Sequence, residues 1–128
     1  MRSMVRVASV AMVTVLCSGC FGVFVAGAAG GAAGAVFVKG RLVELVSSSV
    51  SDVHMASREA LSELGLPIIE DSVDHRTARL RSEYADGKQV WINIETEGLS
   101  DTKIIVRVGA FGDQQRSRDI LARIKRNL

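Results

Sequence analysis

From Arg41 onward the chain shows two different hydrophobic periods, and each predicts a different secondary structure. Residues 77–84 and 89–96 carry apolar or small side chains at every second position, which is the period of a strand with one buried face. Residues 53–64 and 120–128 repeat their apolar side chains at intervals of three and four, which is the period of a helix. The pattern therefore predicts strands and helices that each bury one side.

The first strand and the first helix have recognisable boundaries. Residues 41–46 are rich in β-forming side chains and follow Gly40, so we predict a strand there. Asp52 is a good N-cap for the helix that follows, with Ser51 as its rival. The helix is expected to end at Gly65, because glycine readily takes the left-handed conformation found after a helix C-terminus.

The two alternating segments predict a hairpin whose loop length follows from the alternation. A two-residue loop would place Leu80 opposite Asn93 and so pair an apolar residue with a polar one. A three-residue loop at residues 85–87 places Leu80 opposite Ile92, and the facing residues then agree in character. We therefore predict the three-residue loop.

The remaining elements complete a two-layer architecture. They are a short strand at 67–70, a polar loop at 71–75, a strand at 103–108, and a helix from 114 to about 127. Each main strand has one apolar face and each helix has one apolar stripe. The economical arrangement is an α+β two-layer sandwich, in which an antiparallel sheet of four to five strands carries both helices on one face. The other face is expected to be open to solvent or to a partner.

The first twenty residues have the three parts of an export signal in order. Arg2 and Arg6 form a basic head, and residues 7–16 form an uncharged apolar core that is too short to span a bilayer. Cys20 closes the run Leu16-Cys17-Ser18-Gly19-Cys20. This arrangement resembles the signal sequence of a bacterial lipoprotein, in which the cysteine becomes the first mature residue and carries lipid. We predict a signal peptide at 1–19 and lipidation of Cys20.

Residues 20–40 leave two interpretations open. They can form a lipidated Gly/Ala-rich tether that leads to a soluble α+β domain at 41–128. Alternatively, residues 21–38 can form a membrane helix, since the glycines at 27, 31, 30 and 34 have the small-xxx-small spacing of packed membrane helices. Because five glycines disfavour an isolated helix, the tether is the favoured interpretation. The alternative function is an integral membrane component that assembles through this helix.

Loss of the signal peptide would change both the charge and the cysteine content. The chain has 16 basic and 14 acidic residues, and removal of Arg2 and Arg6 leaves 14 of each. A neutral chain lacks the electrostatic signature of a nucleic-acid-binding protein, so we expect no nucleic-acid partner. With Cys17 removed and Cys20 alkylated, no thiol remains for a disulfide or for thiol chemistry.

Candidate catalytic and metal-binding residues are few. His54 and His75 are the only histidines, and helical spacing places His54 on the exposed side of its helix. His75 closes an acidic segment, residues 70–75, which a solvated turn explains better than a metal site because two-histidine spacing and a cysteine partner are both missing. The serines at 47–49 have no nucleophile-elbow context. We therefore predict no enzymatic activity, no metal, no cofactor and no small-molecule substrate.

Trp91, the only tryptophan, has the strand parity that points away from the predicted core. Arg79, Arg81, Asn93 and Arg107 share that side. Arginine beside tryptophan forms cation–π contacts and is common among interface hot spots. These five residues are the predicted partner-binding face. The alternative is a self-contained sheet surface, with Trp91 shielded by arginine stems or by the N-terminal segment.

Several short motifs together carry a family resemblance. They are the lipobox at Cys20, the Gly/Ala segment at 27–35, Val38-Lys39-Gly40, the helix end at 61–66, Ala85-Asp86-Gly87-Lys88, and the block at 108–113. With them, nearly the full chain resembles a family of short bacterial lipoproteins classified as a domain of unknown function. The resemblance implies an envelope lipoprotein with an α+β domain, and it brings no catalytic residues. Our leading hypothesis is a non-enzymatic, membrane-anchored protein whose small domain binds another envelope component. Phe21 replaces the aspartate that favours inner-membrane retention, so we expect the periplasmic side of the outer membrane.

Overall fold

The computed structural model describes residues 34–128, and a compact unit runs from Ala35 to Leu128. The predicted signal peptide at 1–19, Cys20 and most of the predicted tether lie outside the described residues. The elements in chain order are β1 (Val36–Val38), β2 (Arg41–Val46), α1 (Val50–Glu63), β3 (Ile68–Val73), β4 (Thr77–Glu83), β5 (Gln89–Glu97), β6 (Asp101–Val108) and α2 (Gln114–Arg126).

The described chain forms the predicted α+β fold. All strand pairs are antiparallel, and the strands lie in one sheet in the order β1-β2-β6-β5-β4-β3. Helix α1 packs on β4 and β5, and α2 packs on β6 and β2, so both helices cover the same face of the sheet. The two helices also pack on each other, which closes the second layer.

The sheet has six strands rather than the predicted four to five, because β1 adds a strand before the predicted domain start at residue 41. A two-residue turn joins β1 to β2, and both of its residues have positive φ, 50° at Lys39 and 77° at Gly40. Turns of this kind match the twist of the strands they connect. Part of the segment assigned to the tether is therefore sheet, and a helix within residues 21–38 would have to end before Val36.

The core lies between the helices and the inner face of the sheet. Alternate residues of β5 and β6 are fully buried there, as are the inward residues of α1 and α2. The largest of these buried side chains are Leu42, Leu61, Leu80, Ile92, Ile94, Ile104, Ile120 and Ile124. The helical and strand periods identified in the sequence thus meet in one continuous apolar layer.

Helix α1 begins earlier than the sequence predicts. Its N-cap is Ser49, not Asp52 or Ser51, and the Ser49 hydroxyl oxygen accepts a hydrogen bond from the Asp52 amide at 3.1 Å. Asp52 instead occupies the first turn, where its carboxylate lies 2.8 Å from the Ser49 hydroxyl. The Ser49 hydroxyl therefore accepts from the Asp52 amide and donates to the Asp52 carboxylate, which holds the first turn of the helix.

The turn predictions are confirmed. Gly65 follows α1 with a φ of 67°, and the Leu66 amide closes the helix end by donating to a carbonyl of the last turn at 2.9 Å. Residues 85–87 form the three-residue hairpin loop, and Leu80 lies opposite Ile92. This register puts every aliphatic residue of β4 and β5 on the helix-covered side.

Candidate functional site

The face of the sheet opposite the helices carries the predicted partner-binding residues, and we call it the open face. The strand register places Arg107, Trp91, Arg81 and Glu70 in one row across β6, β5, β4 and β3. A second row contains Val43, Ile105, Asn93, Arg79 and Ser72. The structure therefore brings together all five residues that the sequence singled out.

Trp91 is half-buried and has an arginine against its ring. The guanidinium carbon of Arg107 lies 5.8 Å from the ring centroid, within the range of a cation–π contact. The same guanidinium donates hydrogen bonds to the carbonyl oxygens of Gly109, at 3.3 Å, and Ala110. These bonds hold the Arg107 guanidinium in place beside the Trp91 ring.

Two shallow hollows flank Trp91. The first has a volume of ≈ 380 Å³ and is lined by Glu70, Arg79, Leu80, Arg81, Trp91 and Asn93. The second has a volume of ≈ 420 Å³ and is lined by Arg41, Trp91, Asn93, Ile105, Arg107 and Ala110. Trp91 is thus a ridge between two depressions, each of which contains two arginines.

Arg41 is a member of this site that the sequence analysis missed. It is the first residue of β2, directly before the buried Leu42, so alternation alone assigns its side chain to the open face. That signal was present in the sequence, but the first residue of a strand whose boundary is uncertain has no reliable parity.

The hollows carry an excess of positive charge. Their one carboxylate, Glu70, lies 3.6 Å from Arg81 Nε, which is too long for a hydrogen bond. Within residues 34–128, Arg81 Nε has no hydrogen-bond partner, and no carboxylate comes within 4.0 Å of Arg41, Arg79 or Arg107. Among the described residues, no carboxylate pairs with the guanidinium groups of Arg41 and Arg79, and arginine offers an incoming anion paired donors in a planar fork.

The structure corrects the sequence interpretation of His54. Its side chain is buried, not exposed, and its Nε2 lies 2.6 Å from Asp71 Oδ1. The cause is that β3 continues to Val73 through the predicted polar loop, which places Asp71 on the helix-covered side. Arg58 Nε also approaches Asp71, at 3.4 Å. The cluster joins α1 to the edge strand.

The acidic segment at 70–75 is divided between the two faces of the sheet. Glu70 faces Arg81 on the open side, whereas Asp71 faces His54 on the covered side. In the part of the chain that the structure describes, no three His, Cys, Asp or Glu side chains are grouped closely enough to hold a metal ion. The segment therefore serves as a strand whose charges pair with neighbours on both sides.

A second arginine–aromatic pair joins the hairpin loop to α2. The Arg116 guanidinium carbon lies 4.4 Å from the Tyr84 ring centroid, and Arg116 Nη2 lies 2.8 Å from Asp86 Oδ2. The hydrogen bond from Arg116 lowers the pKa of the Asp86 carboxyl, and burial raises the pKa of the Tyr84 hydroxyl. This pair has its charge balanced within the domain, unlike the pair at Trp91.

The fold and the open face define a small α+β domain with an arginine-rich sheet surface. The chain belongs to the family described as "Protein of unknown function (DUF3568)", whose model matches residues 3–127. This confirms the resemblance to a domain-of-unknown-function family, and the match includes the N-terminal segment as well as the domain. No curated protein matches the chain. Neither helix within residues 34–128 is long and apolar enough to cross a membrane.

Proposed function

We propose that this protein is a non-enzymatic, lipid-anchored component of the bacterial envelope. Its small domain binds another envelope component through the open face. The observation that carries the binding role is the ridge of Trp91 between two hollows that each contain two arginines. Tryptophan and arginine are the residues most enriched among binding hot spots, and here they are fixed by the sheet.

The anchoring role rests on the sequence around Cys20. A basic head, a ten-residue apolar core and two small residues precede this cysteine in the order that a lipoprotein signal requires. The family match begins at residue 3, which supports a role for this segment in the family's architecture. Three acyl chains on Cys20 would exceed the two hydrophobic signals that stable anchoring needs. Phe21 favours the outer membrane.

Replacement of Cys20 tests the anchor. We expect Cys20→Ser to move the protein from the membrane fraction to the soluble periplasmic fraction, because no acyl chain can be attached. The matched control is Cys17→Leu, which removes the neighbouring thiol, keeps Cys20, and should leave the protein in membranes. A Cys20→Ser protein that fractionates like the wild type would contradict the anchor.

Crosslinking in intact membranes tests the binding face. We expect Trp91→Ala to abolish a specific crosslinked band that the wild-type protein gives. Thr77→Ala is the control, because Thr77 is exposed on the same face but lies outside both hollows. If the crosslinked bands of the two variants match those of the wild type, Trp91 is not part of a binding site.

A second candidate is an integral membrane component that assembles through a helix in the Gly/Ala-rich segment. The small-xxx-small glycines favour it, and the start of β1 limits such a helix to residues before Val36. Mass spectrometry of the mature N-terminus separates the two candidates. An intact Met1 would support the helix, whereas an acylated Cys20 would support the anchor.

A further inference from the structure

Two loops meet at one end of the sheet and pack backbone against backbone. They are the turn at Lys39 and Gly40 and the loop at 109–112. A Cβ placed on Gly112 would lie 2.3 Å from the Gly40 Cα, so the contact requires glycine on at least that side. We call this pair of loops, residues 38–41 and 109–112, the basic tip.

The basic tip presents a large aromatic side chain directly to solvent. Phe111 is 97% exposed, and Val38 beside the turn is 50% exposed. Phe111 lies between Ala110 and the Gly112 that contacts the first hairpin, so the backbone on which it projects is held in place. An exposed apolar group on a fixed loop normally marks an interaction surface, since burial of it would stabilise a complex.

The charges around Phe111 have one sign. Lys39 and Arg41 flank the turn, and Arg107 donates to the carbonyls of the adjoining loop. Residues 36–43 and 105–112 contain no aspartate or glutamate. The carboxylate that follows in the chain, Asp113, is 3.2 Å from Lys88 Nζ. The tip therefore combines a protruding aromatic ring with two cations, Lys39 and Arg41, and a third cation, Arg107, lies beside it.

The exposed ring and the neighbouring cations together indicate which kind of surface binds the tip. A second copy of the tip would bring cations against cations and is disfavoured. The surface of an anionic bilayer offers one environment for the cations and another for the aromatic ring. Its lipid phosphates lie at the level of the cations, and the boundary of the acyl chains lies just below them. Aromatic side chains are enriched at this boundary for the same reason.

The chain itself holds the tip near such a surface. β1 begins at Val36, close before the turn, and the segment from Cys20 to Val36 can extend at most about 58 Å. We propose that the basic tip docks on the anionic membrane to which the chain is anchored, with Phe111 inserted at the interface. This inference rests on the proposed lipid anchor. Docking at the strand ends leaves the hollow lined by Arg79 and Arg81 uncovered.

Depth-dependent quenching of tryptophan fluorescence tests the docking. The full chain would carry Trp91→Phe together with Phe111→Trp, so that position 111 holds the only tryptophan. It would be reconstituted into phosphatidylcholine vesicles that contain about a quarter phosphatidylglycerol and a brominated lipid. The matched control is Trp91→Phe with Leu99→Trp, since Leu99 is fully exposed at the opposite end of β6. We expect quenching at position 111 to exceed that at 99 at least about twofold.

Charge variants in the same background test the role of the cations. Lys39→Glu should reduce the quenching at position 111 to the level found at 99, and so should vesicles without phosphatidylglycerol. Arg76→Glu is the control, because Arg76 is exposed in the loop between β3 and β4, at the far end of the sheet, and its replacement changes the net charge equally. Equal quenching at the two positions, or quenching at 111 that is insensitive to Lys39→Glu, would overturn the docking.

Mass spectrometry of the N-terminus on the same samples separates this proposal from the proposed function. An acylated protein without quenching at position 111 refutes the docking and leaves the anchor. A protein that is not acylated but shows quenching at 111 refutes the lipid anchor and leaves the docking. Circular dichroism of each variant confirms that the fold is retained.

Discussion

The two faces of the sheet are made from alternate residues of the same strands, yet they have opposite character. On the covered face, Val90, Ile92 and Ile94 of β5 are fully buried under the helices. On the open face of the same strand, Trp91 and Asn93 are half-buried, and no helix of the described chain lies over them. The period of two in β5 thus separates two surfaces within one strand.

The contrast shows where the sequence is constrained by folding and where it is not. Residues of the covered face must be apolar and must match the shape of the space between the sheet and the helices, since they form the only core that the described domain has. Residues of the open face do not have to meet either requirement. Four arginines around one tryptophan there cannot be explained by packing, and this makes the surface informative about function.

The largest difference in the free energy of unfolding should appear when one residue on each face is truncated to alanine. Ile92→Ala is expected to lower the free energy of unfolding by about 2–5 kcal/mol, because it leaves a cavity at a site with 0% exposure. Asn93→Ala, one residue further along β5, should change it by about 0.5 kcal/mol or less. Urea titrations followed by circular dichroism measure both. Similar losses for the two variants would show that the open face is also a packed layer.

The next largest difference in stability should come from alanine substitution of two loop glycines at opposite ends of β6. Gly112→Ala would place a Cβ against the Gly40 backbone at a residue with a φ of 82°, and we expect a loss of about 2–3 kcal/mol. Gly98 also has positive φ, 68°, but has open space around it, so Gly98→Ala should cost only about 1 kcal/mol. Thermal unfolding of both variants checks the difference. Equal shifts in Tm would mean that the contact between Gly112 and Gly40 is not tight in solution.

The smallest effect on the free energy of unfolding should come from a charge that links the start of α2 to the hairpin between β4 and β5. The hydrogen bond from the Arg116 amide, reinforced by Lys88, lowers the pKa of Asp113 below its ordinary value of 3.8. The folded state therefore binds this proton less readily than the unfolded state does. The stabilisation is complete above pH 3.8 and is lost as the pH falls through the lower folded value.

Asp113→Asn keeps a helix-capping side chain and removes the charge. We expect the variant to be less stable than the wild type at neutral pH by about 0.5 kcal/mol, and the difference to disappear in acid. Urea titrations at a series of pH values measure this. A difference that persists below the folded pKa would assign the effect to the cap geometry and not to the charge.

Much of the fold could be predicted because local and global signals agree. Strict alternation fixed the register of β4 against β5, since only one loop length puts Leu80 opposite Ile92. The end of α1 followed from Gly65 and Leu66, whose roles are local. In both cases a few neighbouring residues contain all the information.

The errors occurred where distant contacts decide the structure. Three residues are too few to show a period, and β1 becomes a strand only through its pairing with β2. His54 precedes the buried Ser57 and Leu61 by three and seven positions, a helical spacing that fits the buried face, and Asp71, seventeen positions further on, provides the partner that allows its burial. Asp52 and Ser49 are both good caps, and the choice between them depends on where the chain leaves β2.

The residues of the candidate site could largely be predicted, but their arrangement across the strands could not. Strand parity placed Trp91, Arg79, Arg81, Asn93 and Arg107 on one side. It could not show that β6 lies beside β5, which brings Arg107 against the Trp91 ring, or that β2 follows β6 and adds Arg41 to the second hollow. The order of strands in a sheet is a property of the whole chain.

The acidic pair in β3 has a consequence for the protein at high concentration. β3 is a border strand along its whole length, and such strands tend to join equivalent strands of other molecules into growing fibrils. If two copies approached about a two-fold axis at the middle of this strand, Glu70 and Asp71 would bring carboxylates of the same sign together. The pair therefore opposes chain-to-chain growth through this edge and favours molecules that stay separate at high protein concentration.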